Sequence, residues 1–85
     1  VSSIIWDPKA REFLRKIPKS TAKRIFSKID DEIRNNVERY LESLVKIHAK
    51  KIRIGAYRLF VDFDKNKDIL TIRTIRHRKE AYKNK

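Results

Sequence analysis

The sequence predicts an α+β domain: a small curved antiparallel sheet of three or four strands, with two or three N-terminal helices packed on one face. Two observations carry this expectation. Apolar residues recur with the helical period of about 3.6 from residue 8 to near residue 46, and with the strand period of 2 from there to residue 76. A chain of 85 residues with a single glycine buries only about 60–65% of its unfolded surface, which leaves room for one modest core and one domain spanning 1–85.

The elements follow in order. Ser2-Ser3-Ile4-Ile5-Trp6 is β-branched and aromatic, hence a strand. Asp7-Pro8 then supplies a capping acid and a proline at the first helical position. Ala10, Phe13, Leu14 and Ile17 form one apolar stripe, with Lys9, Arg11, Arg15 and Lys16 on the other side, and Pro18 ends the helix. Ser20 or Thr21 is placed to cap a second helix, whose stripe is Ala22, Ile25, Phe26, Ile29 and Ile33. Val37, Tyr40, Leu41, Leu44 and Val45 continue the period. One helix over 20–46 is long against a mean of about 11–12 residues, so a break is expected near Asn36, whose side chain can cap a short third helix.

Beyond residue 46, Ile52 and Ile54 alternate with Lys51 and Arg53, and Tyr57, Leu59, Val61 and Phe63 alternate with Arg58, Phe60 and Asp62. Gly55-Ala56 is a tight connection, and the polar run 64–68 turns segments 57–63 and 69–76 into an antiparallel hairpin. Alternation sends Ile52, Ile54, Leu59 and Val61 to the helices and Lys51, Arg53 and Arg58 to the opposite face, which is left for a ligand. Phe13, Phe26, Tyr57 and Phe60 are assigned to the core and none of them to base stacking; Trp6 is assigned to the sheet edge.

Charge narrows the ligand. The chain has 23 Lys and Arg against 11 Asp and Glu, a formal net charge of +12, which favours polyanions and RNA first among them. With no cysteine and two histidines, it offers neither a disulfide framework nor a zinc cage, and neither metal nor cofactor is expected. No apolar run approaches the roughly 20 residues of a membrane span and no signal-peptide segment is evident, so an intracellular, cytoplasmic location without membrane contact is expected.

The pattern Lys51-x-Arg53-x-Gly55-x-Tyr57-Arg58, the apolar hairpin behind it and the closing His77-Arg78-x-x-x-Tyr82 resemble the RelE/ParE superfamily of small bacterial and archaeal toxins, on its RelE-like side. The likeness extends over essentially the whole chain. It implies a toxin of a type II toxin-antitoxin system, an endoribonuclease that cuts messenger RNA in the ribosomal A site and is held inactive by a RelB-like antitoxin. It further implies that Lys51, Arg53, Arg58 and Arg78 bind and polarise the phosphate, and that Tyr82 stacks on a base or assists proton transfer. Arg76, two residues before Arg78, competes for the terminal arginine role; Arg78 is preferred because it sits in the His-Arg pair. His77 and Lys79 complete the expected RNA-binding set with Arg53 and Arg76.

Such chemistry is feasible without a metal. Attack of a ribose 2′-hydroxyl on the adjacent phosphate needs a base, an acid for the leaving 5′-oxygen, and cations for the phosphorane-like transition state. Arg58 and Arg78 suit the last task, because a guanidinium presents a fixed fork of donors to two phosphate oxygens. Lys51 is the candidate base, provided its cationic neighbours favour its neutral form, and Tyr82 or His77 is the candidate acid. Each cation taken singly also reads as an ordinary solvated strand residue, and His48 as an ordinary polar one. Two other functions share the fold expectation: a ParE-like toxin acting on DNA gyrase, and a non-catalytic basic RNA-binding domain.

Overall fold

The computed structural model describes residues 1–43 and 50–78. Leu44, Val45 and His48, and at the C-terminus Lys79 and Tyr82, lie outside them. The chain begins with strand β1 (Ser3–Trp6) and helices α1 (Pro8–Lys16) and α2 (Lys19–Ser27). A π-helical turn (Lys28–Glu32), a 3-10 turn (Ile33–Asn35) and the short helix α3 (Val37–Tyr40) follow. Strands β2 (Glu42–Ser43), β3 (Lys50–Ile54), β4 (Tyr57–Asp64) and β5 (Ile69–His77) complete the described chain.

The start of α1 is as expected, with Asp7 at the N-cap and Pro8 in the first turn, yet the Asp7 carboxylate makes no capping bond. It is drawn instead to Arg73, whose Nε lies 2.8 Å away. The second helix starts earlier than expected, at Lys19, with Pro18 at its N-cap and no side-chain cap from Ser20 or Thr21. The fixed φ of proline, here −55°, supplies the entry geometry by itself. Pro18 does terminate α1, after Ile17.

Ile25, Ile29, Ile33 and Val37 are all buried, although a spacing of four drifts about 40° per step around an ideal helix. The π turn, whose hydrogen bonds span five residues rather than four, underwinds the helix where this spacing demands it. Phe26 is left off the corrected stripe. Rather than entering the core, it is 49% exposed and stacks on Trp6 of the edge strand, ring centroids 5.8 Å apart. The break falls at Asn36, where φ and ψ of −144° and 48° interrupt the helical path, but no side-chain cap forms there.

The described strands form one sheet of five, in the order β1-β5-β4-β3-β2. The sheet is mixed rather than antiparallel: β1 runs parallel to β5, with Ser3 opposite Ile69 and Trp6 opposite Ile72. Parallel neighbours need a long connection, which the helices and three intervening strands supply, and the pairing lets Ile4 and Trp6 pack against the core beside Leu70 and Ile72. The extra strand beyond the expected count is two-residue β2, on the far edge. Helical Ala10, Ile25, Ile29, Ile33 and Val37 meet Ile52, Ile54, Leu59, Val61, Leu70, Ile72 and Ile75 of the sheet in one apolar cluster.

Candidate nucleic-acid interface

Strand order and register determine which cations meet. The β3–β4 turn is closed by Gly55 at φ 57°, a left-handed conformation that glycine adopts without strain. This sets Arg53 opposite Arg58, and on the other side of β4 Arg58 stands opposite Arg76. Three arginines on three adjacent strands therefore form one row across the sheet. Their strand neighbours Ile52, Ile54, Leu59 and Ile75 are buried against the helices, so alternation turns the row to the opposite face. Lys51 lies one rung further along that face, in line with Phe60 and Thr74.

Arg76 owes its place to an irregularity. On β5 the buried residues are Leu70, Ile72 and Ile75, a spacing that strict alternation cannot produce. The register shifts at this point: Phe60 pairs with Thr74 and Val61 with Ile72, leaving Arg73 as the extra residue of a β-bulge. Without the bulge, alternation from Ile72 would turn Arg76 towards the helices. With it, Ile75 is core and Arg76 joins the arginine row.

The cations differ in their pairing. Arg73 bridges Asp7 and Asp62, and these carboxylates, Asp62 foremost, push its pKa above the usual arginine value. Among the described residues no acid forms an ion pair with Lys51, Arg53, Arg76 or Arg78. Arg58 is half-buried, while Arg53, Arg76 and Arg78 are exposed. Arg78 follows β5, and its backbone N–H donates to the Ala56 carbonyl at 2.7 Å, tying the strand end to the glycine turn.

The structure does not group every expected site residue. His77 pairs in register with Tyr57, on the helix side of the sheet, and meets the Tyr57 ring edge-on at 5.1 Å. Tyr57 in turn contacts Phe13 edge-on at 6.0 Å. Of the two arginines that compete for the terminal role, register puts Arg76 directly against Arg58. Phe60, expected in the core, is half-buried on the arginine side and outside the apolar cluster, because it occupies the outward phase of β4. The spacing Ile72-x-x-Ile75 in the sequence is the signal that could have revealed both the bulge and the orientation of Arg76. Among the described residues no three His, Cys, Asp or Glu side chains gather as metal ligands would, and no helix is long and apolar enough to cross a membrane.

Helices packed on one side of a mixed open sheet match the RelE-like α+β fold. A chain of the RelBE2 toxin-antitoxin complex of Mycobacterium tuberculosis superposes with a TM-score of 0.81 at 20% identity, over 89% of this chain and 96% of that one. A chain of the RelB-RelE complex of Methanococcus jannaschii gives 0.71 at 23% identity, over 95% and 98%. A chain of the intact E. coli RelBE complex gives 0.68 at 18% identity, over 88% and 94%. The family model for the ParE toxin of type II toxin-antitoxin systems matches residues 4–82, and the chain belongs to that family, as a type II toxin of the RelE/ParE kind. No curated protein matches it significantly.

Proposed function

We propose that this toxin is an endoribonuclease that cuts messenger RNA in the ribosomal A site, without a metal, and is neutralised by a RelB-like antitoxin. The observation that carries the reading is the row Arg53, Arg58 and Arg76 on the face away from the helices. Three arginines in register on one face concentrate positive charge there, and a phosphate chain is a ligand of complementary charge. In the reaction a ribose 2′-hydroxyl attacks the adjacent phosphorus, the bond to the 5′-oxygen breaks, and a cyclic phosphate and a 5′-hydroxyl form. Arg58 and Arg76, with Arg78 at the strand end, stabilise the charge that builds on the phosphoryl oxygens. Lys51, one rung away, takes the hydroxyl proton, and Tyr82 supplies the proton or a stacking surface at the leaving side. The antitoxin part of the proposal draws on the solved relatives being complexes with RelB.

A second reading has its own support, since the matching family model is that of ParE toxins: contact with DNA gyrase. Purified toxin incubated with programmed ribosomes, and in parallel with gyrase and relaxed plasmid, separates the two. Discrete messenger cuts that fade in Arg58→Ala and Arg76→Ala are expected. Intact messenger together with inhibited supercoiling would overturn the nuclease reading in favour of gyrase, and neither effect would leave a basic RNA-binding domain.

A further inference from the structure

Next to the arginine row, and on the same face, lies an aromatic ring that the apolar core does not use. Phe60 is two residues along β4 from Arg58, a separation of about 7 Å, comparable to the distance from a phosphate to the base of its own nucleotide. The ring borders a surface cavity of about 540 Å³ that also involves Thr74, Lys9, Asp7, Asp62 and Arg73, a size typical of sites for small organic groups. The β5 bulge builds this cavity, because it turns Arg73 and Thr74 outward in succession where a regular strand would bury one of them.

The electrostatics change sharply between the row and the cavity. Arg73 is engaged by Asp7 and Asp62, and with Lys9 the lining sets two cations against two carboxylates, so the cavity is close to neutral while retaining carboxylate and hydroxyl groups that can accept or donate hydrogen bonds. A phosphate is favoured on the row and disfavoured beside the two carboxylates. An uncharged planar group with a polar edge fits the cavity, and Phe60 offers it a π face.

We propose that Phe60 is a base-stacking platform, which receives the base of a single-stranded RNA nucleotide whose phosphate lies on the Arg53, Arg58 and Arg76 row. This rests on the RNA-directed reading given above.

The test uses a short single-stranded RNA containing 2-aminopurine, whose emission falls on stacking, titrated with wild-type protein and with Phe60→Leu and Phe60→Trp. The leucine variant should bind roughly 5- to 150-fold more weakly, the range of one lost base–aromatic stack, and should quench less at saturation. In Phe60→Trp the added indole emission should fall when RNA binds, beyond any change from Trp6 in the wild type. Arg76→Ala should weaken binding while leaving the quench at saturation intact. Equal affinity and quench in Phe60→Leu, or an indole at position 60 that does not respond to RNA, would overturn the platform alone. No RNA binding by the wild type would overturn the reading on which it rests.

Discussion

Replacing Arg76 with alanine removes one of three guanidiniums from the row that register assembles on the sheet, and its cost can be worked out. Each phosphate neutralised by a side chain adds about −0.7 to the slope of log affinity against log salt for a single strand. Raising salt fourfold, from about 50 to about 200 mM, therefore weakens binding about 2.6-fold per arginine, or about 18-fold for three and about 7-fold for two, on top of a common background from other cations. The assay is fluorescence anisotropy of a labelled single-stranded RNA across that salt range. Arg24→Ala is the control: Arg24 is an exposed residue of α2, on the helix side, and its loss changes net charge by the same unit. Arg76→Ala should flatten the slope by about 0.7, and Arg24→Ala should leave it unchanged. If both variants flatten it equally, net charge rather than the arginine row governs binding.

Two stability predictions follow from the core and from the helical face. Leu59 is fully buried at the centre of the sheet, between Ile52 and Ile75 in register, so Leu59→Ala should cost about 3 kcal/mol and lower the melting temperature by roughly 12–24 °C. Calorimetry checks this, and at low temperature the folded variant should keep the wild-type RNA salt slope. On the helical face, the Lys28 ammonium hydrogen-bonds Glu32 at 2.7 Å and holds its carboxyl below the ordinary value of 4.5, with Tyr40 assisting. A depressed folded pKa stabilises the protein fully above 4.5 and progressively less as pH falls through the lower folded value. The small excess in melting temperature of wild type over Glu32→Gln should therefore hold at neutral pH and vanish in strong acid; an excess that persists there would refute the assignment.

Much of this protein was legible in its residues because local periodicity survives folding. The helical stripe of Ala10, Phe13, Leu14 and Ile17, the stop at Pro18, the break at Asn36, the glycine turn and the hairpin are all where the sequence predicts them. So is the division of β3 and the start of β4 into an apolar face of Ile52, Ile54, Leu59 and Val61 and a face that carries Lys51, Arg53 and Arg58. What failed did so for identifiable reasons. The cap expected of Ser20 or Thr21 lost to the preset geometry of Pro18. Phe26 was carried outward by a π turn that keeps isoleucines four apart on one side.

The sequence by itself determined the two-sided sheet and its charge, because alternation is a property of each strand and needs no partner. Tertiary structure alone decided that β5 returns to pair in parallel with β1, since that contact joins residues 66 positions apart. It also decided which arginines become neighbours. Arg53, Arg58 and Arg76 lie on three different strands, and their alignment depends on hydrogen-bond register and on one extra residue at Arg73. A shift of one residue in register turns every side chain of a strand to the other face, so the candidate site is settled only when the strands pair.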